Sequence, residues 1–237
     1  MELRYVQTRI DTNSHRDYRP LNTVAVAVKS SRRALPKEVR RDQLIRATIE
    51  SIAQNGLAGT TMASITRQAG LSMGIANLHF ESKEKLLTAT LERVASEYNN
   101  GQNDILNSPQ HKTVAEKLQA LLDFHFSIPV TKKSKLAVWF AFWGEARSRP
   151  TYQRICSGSD IRAEKAIQSL FEEALSEGQY SYADADLLTR GYTALIDGLW
   201  LDLLITPRRM SRLMAKRIAV HYLSCAFPQH LSGDTAQ

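Results

Sequence analysis

The stretch from Thr60 to Leu86 reads TTMASITRQAGLSMGIANLHFESKEKL and decides the predicted fold of this chain. Thr61 offers an N-cap for a short amphipathic helix. Gly70 supplies the backbone freedom that a sharp corner needs, and Ser72 caps a second short helix. Two short helices that meet at such a corner, at about residues 61–80, predict a helix-turn-helix.

The second short helix is predicted to turn Ile75 and Phe80 inward, which leaves small or polar residues on its outward face. A helix with such a face fits the major groove of DNA, where base edges can be contacted. The residues expected to face the groove are Ser72, Met73, Ala76, Asn77 and His79.

Apolar residues recur at helical spacing from Pro36 to about Phe227, without strand-like alternation or internal repeats. We predict an all-α protein of about nine helices. Asp160 and the pair Thr206-Pro207 are expected to cap later helices. The predicted divisions are a basic, disordered extension at 1–35, a three-helix domain at 36–82, a second helical domain at 83–228 and a flexible tail at 229–237.

The net charge of +7 is concentrated at the N-terminus, where residues 1–41 contribute +6. A basic arm before a neutral body suggests an anionic partner, with nucleic acid first and a membrane surface second. A solvated tail without a partner explains the charge equally well. The extension is therefore either an arm that adds phosphate contacts or a segment absent from the native protein, whose translation could start near Leu35.

Several function classes are not favoured by the sequence. No apolar stretch is long enough to span a bilayer, and no secretory signal is present, so we expect a cytoplasmic protein without membrane contact. Cys156 and Cys225 match no metal-ligand spacing, which predicts reduced thiols. No nucleophile–base set or phosphate-binding glycine loop is recognisable, so neither an enzyme nor a cofactor is expected.

The opening stretch resembles the TetR family of one-component repressors. That family has a Thr-capped helix, Ile-x-x-x-Ala-Gly-(Val/Leu)-Ser, x-Gly, an apolar residue, a variable stretch, Phe and x-x-Lys-x-x-Leu. Asn77 stands where the family usually has an aromatic residue, and asparagine can pair with adenine through two hydrogen bonds. The matching residues are Ile65, Ala69, Gly70, Leu71, Ser72, Gly74, Ile75, Phe80, Lys83 and Leu86.

The resemblance also implies phosphate contacts around the motif. Arg40 and Arg41 would meet phosphate from the first helix, Thr61 through its backbone and hydroxyl, and Lys83 from the start of the fourth helix.

Three further segments, at 35–50, 139–155 and 191–204, resemble the BetI-type, choline-responsive members of the family. The resemblance implies a repressor of genes that oxidise choline to glycine betaine, released from operator DNA by choline or a related quaternary ammonium ligand. The alternative within the family is a repressor with a different small hydrophobic or acyl inducer. A sequence-tolerant architectural DNA binder is a third alternative.

Aromatic residues of the second domain are candidates for the ligand site, because ammonium groups bind well between aromatic rings beside a carboxylate. The candidate rings are Trp139, Trp143, Tyr152, Tyr192 and Trp200, and the candidate carboxylates are Glu145 and Asp197. The alternative is that these rings belong to the core or to a subunit interface.

Residues 187–204 are apolar around most of a helix, which must therefore be buried. We expect a homodimer whose interface includes Leu195, Leu199 and Leu203, because a C2 dimer presents two recognition helices to two half-sites. A fully internal central helix is the alternative.

Overall fold

The computed structural model describes residues 36–181 and 184–231, so the predicted extension at 1–35 lies outside the described residues. Within these ranges the chain forms ten α-helices and no strand, which confirms the all-α prediction. Nine of the helices have seven residues or more, and the tenth is a single turn. The helices are α1 (Lys37–Gly59), α2 (Met62–Ala69), α3 (Met73–His79), α4 (Lys83–Leu106), α5 (Val114–His125), α6 (Ile128–Thr131), α7 (Lys133–Ala146), α8 (Pro150–Gly178), α9 (Ala185–Ile205) and α10 (Arg212–Ala226).

The helix ends follow local signals in the N-terminal half. Gly56 has φ +68° and ψ 174° and interrupts α1 there, since this non-helical conformation, which essentially only glycine adopts, breaks the regular helix. Ser82 caps α4 by accepting a hydrogen bond from the Lys85 N–H, and Thr113 forms a capping box with Glu116 at the start of α5.

Two apolar cores lie within the compact unit that these helices form. The first core joins α1 to α3 and the start of α4, and it extends to buried residues of α7 and α8 such as Phe142 and Tyr152. The second core joins α5, α8, α9 and α10 around residues such as Phe171 and Leu223. Because α4 contributes to the first core and reaches the second through Tyr98, it connects the two.

Two predicted helix starts were wrong. Asp160 lies in the interior of α8, which runs without a break from Pro150 to Gly178, because proline at the first helical position starts this helix ten residues earlier. Ser211, not Thr206, caps α10 by accepting a hydrogen bond from the Met214 N–H.

The predicted flexible tail is partly ordered. The Gln229 N–H donates to the Tyr180 hydroxyl oxygen at 2.8 Å, and Leu231 is buried in the second core. Residues 229–231 are therefore held by the end of α8, and the rest of the predicted tail lies outside the described residues. None of the helices in the described part of the chain combines the length and apolar character that crossing a bilayer requires.

Candidate nucleic-acid interface and ligand cavity

The corner between α2 and α3 has the geometry of a helix-turn-helix. Thr61 and Ser64 form a capping box at the start of α2, and Gly70 takes the left-handed conformation with φ +63°. The Ser72 hydroxyl oxygen accepts a hydrogen bond from the Ile75 N–H and caps α3. These contacts set the angle between the two helices, and the exposed face of α3 then points away from the core.

The face of α3 that is open to solvent differs from the predicted one at two positions. Ser72, Met73 and Asn77 are exposed as expected. Ala76 is fully buried because it lies one turn before the buried Phe80, on the same side of the helix, so its predicted contact with the groove is corrected. Leu78 is 78% exposed, the largest exposure among the large apolar residues described. Sequence analysis assigned Leu78 to neither face of this helix.

Arg41 and Arg40 are occupied with contacts inside the domain. The Arg41 guanidinium donates to the His79 carbonyl oxygen at 2.8 Å and lies 4.3 Å from the centroid of the Phe80 ring. Arg40 donates to the Gln43 side chain at 2.9 Å. Both side chains were predicted to meet phosphate. In the structure Arg40 makes a contact within α1, and Arg41 holds α1 against the end of α3.

Thr61 caps α2, which precedes α3, and Lys83 is the first residue of α4, which follows it. The Thr61 N–H donates to the Ser64 hydroxyl at 2.9 Å, and the Thr61 hydroxyl oxygen accepts from the Ser64 N–H at 3.0 Å. The backbone donor that sequence analysis assigned to phosphate is thus engaged in the cap. Lys83 is partly exposed at the first turn of α4 and makes no ion pair with any described residue. The Lys83 ammonium group is therefore free to bind an anion, whereas the Thr61 N–H is not.

A cavity of about 100 Å³ opens between α4, α5, α7, α8 and α9. All three tryptophans of the chain line it, so its walls are largely aromatic. No lysine or arginine takes part in the lining. The lining residues are Tyr98, His125, Trp139, Trp143, Ser159, Asp160, Ala163, Glu164, Ile167, Thr193, Ile196, Asp197 and Trp200.

Four of the seven predicted ligand residues meet in this cavity, namely Trp139, Trp143, Asp197 and Trp200. The other three do not line it. Glu145 is exposed at the end of α7 and pairs with Arg149, while Tyr152 is buried against Phe142 in the first core. Tyr192 lies behind the wall, where its hydroxyl contacts His125 Nδ1 at 2.8 Å. Their positions in the sequence did not reveal which side of each helix faces the cavity.

A buried hydrogen-bond network fixes the aromatic wall. The Trp200 indole N–H donates to the His125 carbonyl oxygen at 3.0 Å, and the Tyr98 hydroxyl lies 3.0 Å from His125 Nε2. Burial lowers the pKa of His125 to about 3 and raises the pKa of Tyr98. Both groups therefore stay neutral at physiological pH, and the wall carries no charge of its own.

Three carboxyl groups supply the charge of the cavity: Asp160 and Glu164, one turn apart on α8, and Asp197 on α9. None of them forms an ion pair with a described residue. Burial, and then repulsion from Asp160 and Glu164, raises the pKa of Asp197 to about 7. Burial and Glu164 raise that of Asp160 to about 6. Sequence analysis missed both α8 acids, although their spacing of four residues was a signal once α8 is known to be continuous.

This arrangement attracts a positive charge. Aromatic faces and unpaired carboxylates are the groups that bind an organic ammonium ion. A metal is less suited to it, since in the described part of the chain no three His, Cys, Asp or Glu side chains are grouped so that they could hold one.

An apolar groove runs along the outer faces of α9 and α10 and is lined by Leu187, Leu188, Leu195, Ile218 and Tyr222 among others. Leu187 is 69% exposed there. Leu199 and Leu203, predicted as interface residues, are instead buried in the second core of the same chain. Both lie in the core that α9 shares with α5, α8 and α10, whereas Leu195 is only half-buried and lines the groove.

Comparison with known proteins identifies the family of both halves of the chain. Residues 44–90 match the model of bacterial regulatory proteins of the tetR family, and residues 109–227 match the C-terminal domain of BetI-type transcriptional repressors. The HTH-type transcriptional regulator BetI of Escherichia coli O17:K52:H18 (strain UMN026 / ExPEC) is 30% identical over 198 residues, which are 84% of this chain and 97% of that protein.

Solved structures show the same fold. A transcriptional regulator from Pseudomonas aeruginosa PAO1 superimposes with a TM-score of 0.71 at 25% identity, over 86% of this chain and 97% of that one. A transcriptional regulator from Saccharomonospora viridis in complex with choline gives a TM-score of 0.71 at 23% identity, over 80% and 97% of the two chains. The chain therefore belongs to the TetR family of bacterial transcriptional regulators, as a repressor with a BetI-type C-terminal domain.

Proposed function

We propose that this repressor acts as a homodimer on genes that oxidise choline to glycine betaine, and that choline or a related quaternary ammonium ion releases it from its operator. The observation that carries the proposal is the cavity between α4 and α9, with tryptophan walls, unpaired carboxyl groups and no basic lining residue. A quaternary ammonium ion has no hydrogen to donate, so rings and negative charge are the groups that can hold it.

The size of the cavity supports a small ligand. A cavity of about 150 Å³ holds a benzene molecule, so about 100 Å³ suits a compact head group with few other atoms. A long acyl chain would need more room and an uncharged lining, which disfavours the alternative class of inducer. The choline bound to the neighbour from Saccharomonospora viridis agrees with a ligand of this size.

The DNA contacts that we propose lie on α3 and at the start of α4. Ser72, Met73, Asn77 and the side chain of Leu78 would enter the major groove, and Lys83 would meet phosphate. Asn77 is the residue best suited to reading a base, through two hydrogen bonds to adenine. His79 is half-buried and would contact DNA only from the edge of this surface.

The apolar groove on α9 and α10 is the proposed dimer surface, with Leu195 as its contribution from the predicted set. A second copy of the chain would cover the exposed Leu187 and place two α3 helices on one side of the dimer. Two recognition helices at a fixed separation would match two operator half-sites.

Helix α4 offers the route between ligand and DNA. Its first residue, Lys83, follows the recognition helix. Its leucines Leu86, Leu87 and Leu91 pack in the first core, and Tyr98 in its second half lines the cavity. A ligand that displaces Tyr98 would change the separation of the recognition helices. The coupling free energy between two such sites is typically about 1–3 kcal/mol. This is enough to release the repressor when its concentration is only modestly above its dissociation constant for the operator.

The test is binding of the purified protein to the DNA upstream of its own gene, with choline or with 3,3-dimethyl-1-butanol, the uncharged isostere of choline. We expect release by millimolar choline alone, and loss of this response in Asp197→Asn but not in Asp104→Asn, which changes an exposed acid of α4. Equal release by both compounds would support an apolar inducer. Equal binding to random DNA would contradict operator recognition.

A further inference from the structure

The cavity holds more negative charge than one ammonium ion can neutralise. Asp160, Glu164 and Asp197 all line it, and none has a basic partner among the described residues. Asp197 is only partly ionised near pH 7, and a single quaternary ammonium group still leaves part of the negative charge uncompensated. The remaining negative charge acts on the part of the ligand beyond its ammonium head group. It is therefore a candidate for determining which ammonium compounds the cavity accepts.

We propose that Asp160 and Glu164 are specificity-determining residues that exclude trimethylammonium compounds bearing a carboxylate of their own. The inference rests on the proposed function, because it assumes that the aromatic walls bind an ammonium head group. It goes further by assigning the two acids of α8 a separate role, in which choline is accepted and glycine betaine is rejected.

The two compounds share the same head group, so the tryptophan walls hold both equally and cannot tell them apart. They differ at the other end, where choline has a hydroxyl and glycine betaine a carboxylate, only two carbon atoms from the nitrogen. In a cavity of about 100 Å³ that end stays close to the acids of α8. Like charges a few ångströms apart in a half-buried site change a binding constant by about 10- to 100-fold.

No group around the cavity can receive a ligand carboxylate. The titratable residues that line it are Tyr98 of α4, His125 of α5, the two acids of α8 and Asp197 of α9. Burial keeps His125 and Tyr98 neutral. Arg190 lies near enough to act on Glu164, but its guanidinium is exposed and engaged by Asp186 at 2.9 Å. A carboxylate could enter only by sharing a proton with one of the acids.

This difference predicts opposite pH dependences for the two ligands. Choline binding should strengthen as pH rises from 6 to 8, because the acids lose their protons in this range. Any residual glycine betaine binding should weaken over the same range, because it needs a proton in the site. Opposite slopes are a signature that a change in cavity shape would not produce.

The experiment uses quenching of intrinsic fluorescence, since all three tryptophans line the cavity. Titrations compare choline, glycine betaine and glycine betaine methyl ester, in which the negative charge is removed and one methyl group is added. We expect the wild-type protein to bind choline at least about 30-fold more tightly than glycine betaine, and to bind the ester nearly as well as choline.

The double variant Asp160→Asn/Glu164→Gln is expected to reduce that ratio by about tenfold or more, mainly through tighter binding of glycine betaine. Glu172→Gln changes another acid of α8, outside the cavity, and should leave the ratio unchanged. Both variants should fold, since the amides relieve repulsion, and thermal unfolding followed by circular dichroism checks this.

A wild-type protein that binds choline and glycine betaine equally would overturn the inference and leave the proposed function intact. So would an unchanged ratio in the folded double variant. Failure of both choline and the ester to quench fluorescence would overturn the proposed function, and this inference with it.

Discussion

The helix-turn-helix and the ligand cavity are built in opposite ways. The first is set by contacts within about twenty consecutive residues, through caps at Thr61 and Ser72 and a left-handed Gly70 between them. The cavity draws its lining from five helices, between Tyr98 and Trp200, and no single local motif contains all of these residues. One site is thus encoded by neighbours in sequence, and the other by how distant helices assemble.

This contrast teaches that the two halves should respond differently to the same chemical change. A locally encoded motif loses function when a single side chain beneath it is lost. Ligand binding in a cavity assembled from several helices should tolerate changes in side-chain size better. It should be more sensitive to changes in charge, because the carboxyl groups of the cavity have no ion-pair partners among the described residues.

The largest effect is expected when the same truncation is made in each half. Ile65→Ala beneath α2 and Ile167→Ala beside the cavity both remove buried methylenes, and each should cost about 3 kcal/mol of the free energy of unfolding in urea. Operator binding should be lost mainly in Ile65→Ala, and choline quenching should change mainly in Ile167→Ala. Quenching that changes equally in both would remove the distinction between the halves.

Charge is the next test, through the pH dependence of stability. The pKa of Asp197 rises from 3.8 to about 7 in the folded protein, so unfolding releases its proton and stability falls as pH increases across this range. Asp197→Asn should therefore match the wild type near pH 4 and exceed it by about 2 kcal/mol above pH 7, discounted for partial exposure. A difference that is constant from pH 4 to 8 would contradict the buried-acid explanation.

The same contrast explains how much could be predicted from the sequence. Caps and glycines predicted the helix-turn-helix, because each acts on residues within four positions. Asp160 shows the limit: as a helix-capping residue type it predicted a helix start, yet Pro150 had already begun α8, and the side chain faces the cavity. A cap and a site acid look alike until the helix around them is known.

The sequence predicted which side chains are buried better than it predicted which part of the molecule buries them. Trp139, Trp143 and Trp200 were assigned to a ligand site because they are aromatic and because the chain resembles choline-responsive repressors, and the structure brings them together. Leu199 and Leu203 were assigned to a partner surface, whereas they are buried in the core that α9 shares with other helices of the same chain. An apolar helix indicates that it is buried but not by which neighbour.

Substitution of Arg41 should have a smaller effect, which distinguishes a residue that braces α3 from one that contacts phosphate. Its guanidinium braces α3 through the His79 carbonyl and the Phe80 ring, so Arg41→Ala should cost about 1–2 kcal/mol of stability. Operator affinity should fall while its dependence on salt concentration stays the same. Lys83→Ala is the matched change and should lower the salt slope by about one unit. A similar drop in slope for Arg41→Ala would make it a phosphate contact instead.

The smallest effect concerns Leu78, the exposed leucine of α3. Leu78→Ala removes no buried contact, so stability should change by less than about 0.5 kcal/mol. If the side chain meets a thymine methyl group in the major groove, operator affinity should fall about fivefold, or about 1 kcal/mol. Replacing that thymine by deoxyuridine should cause a similar loss in the wild type and none in the variant, because the two changes remove the same contact. Additive losses at every thymine of the operator would place Leu78 outside the groove, and the local motif would then read DNA through Asn77 and its polar neighbours alone.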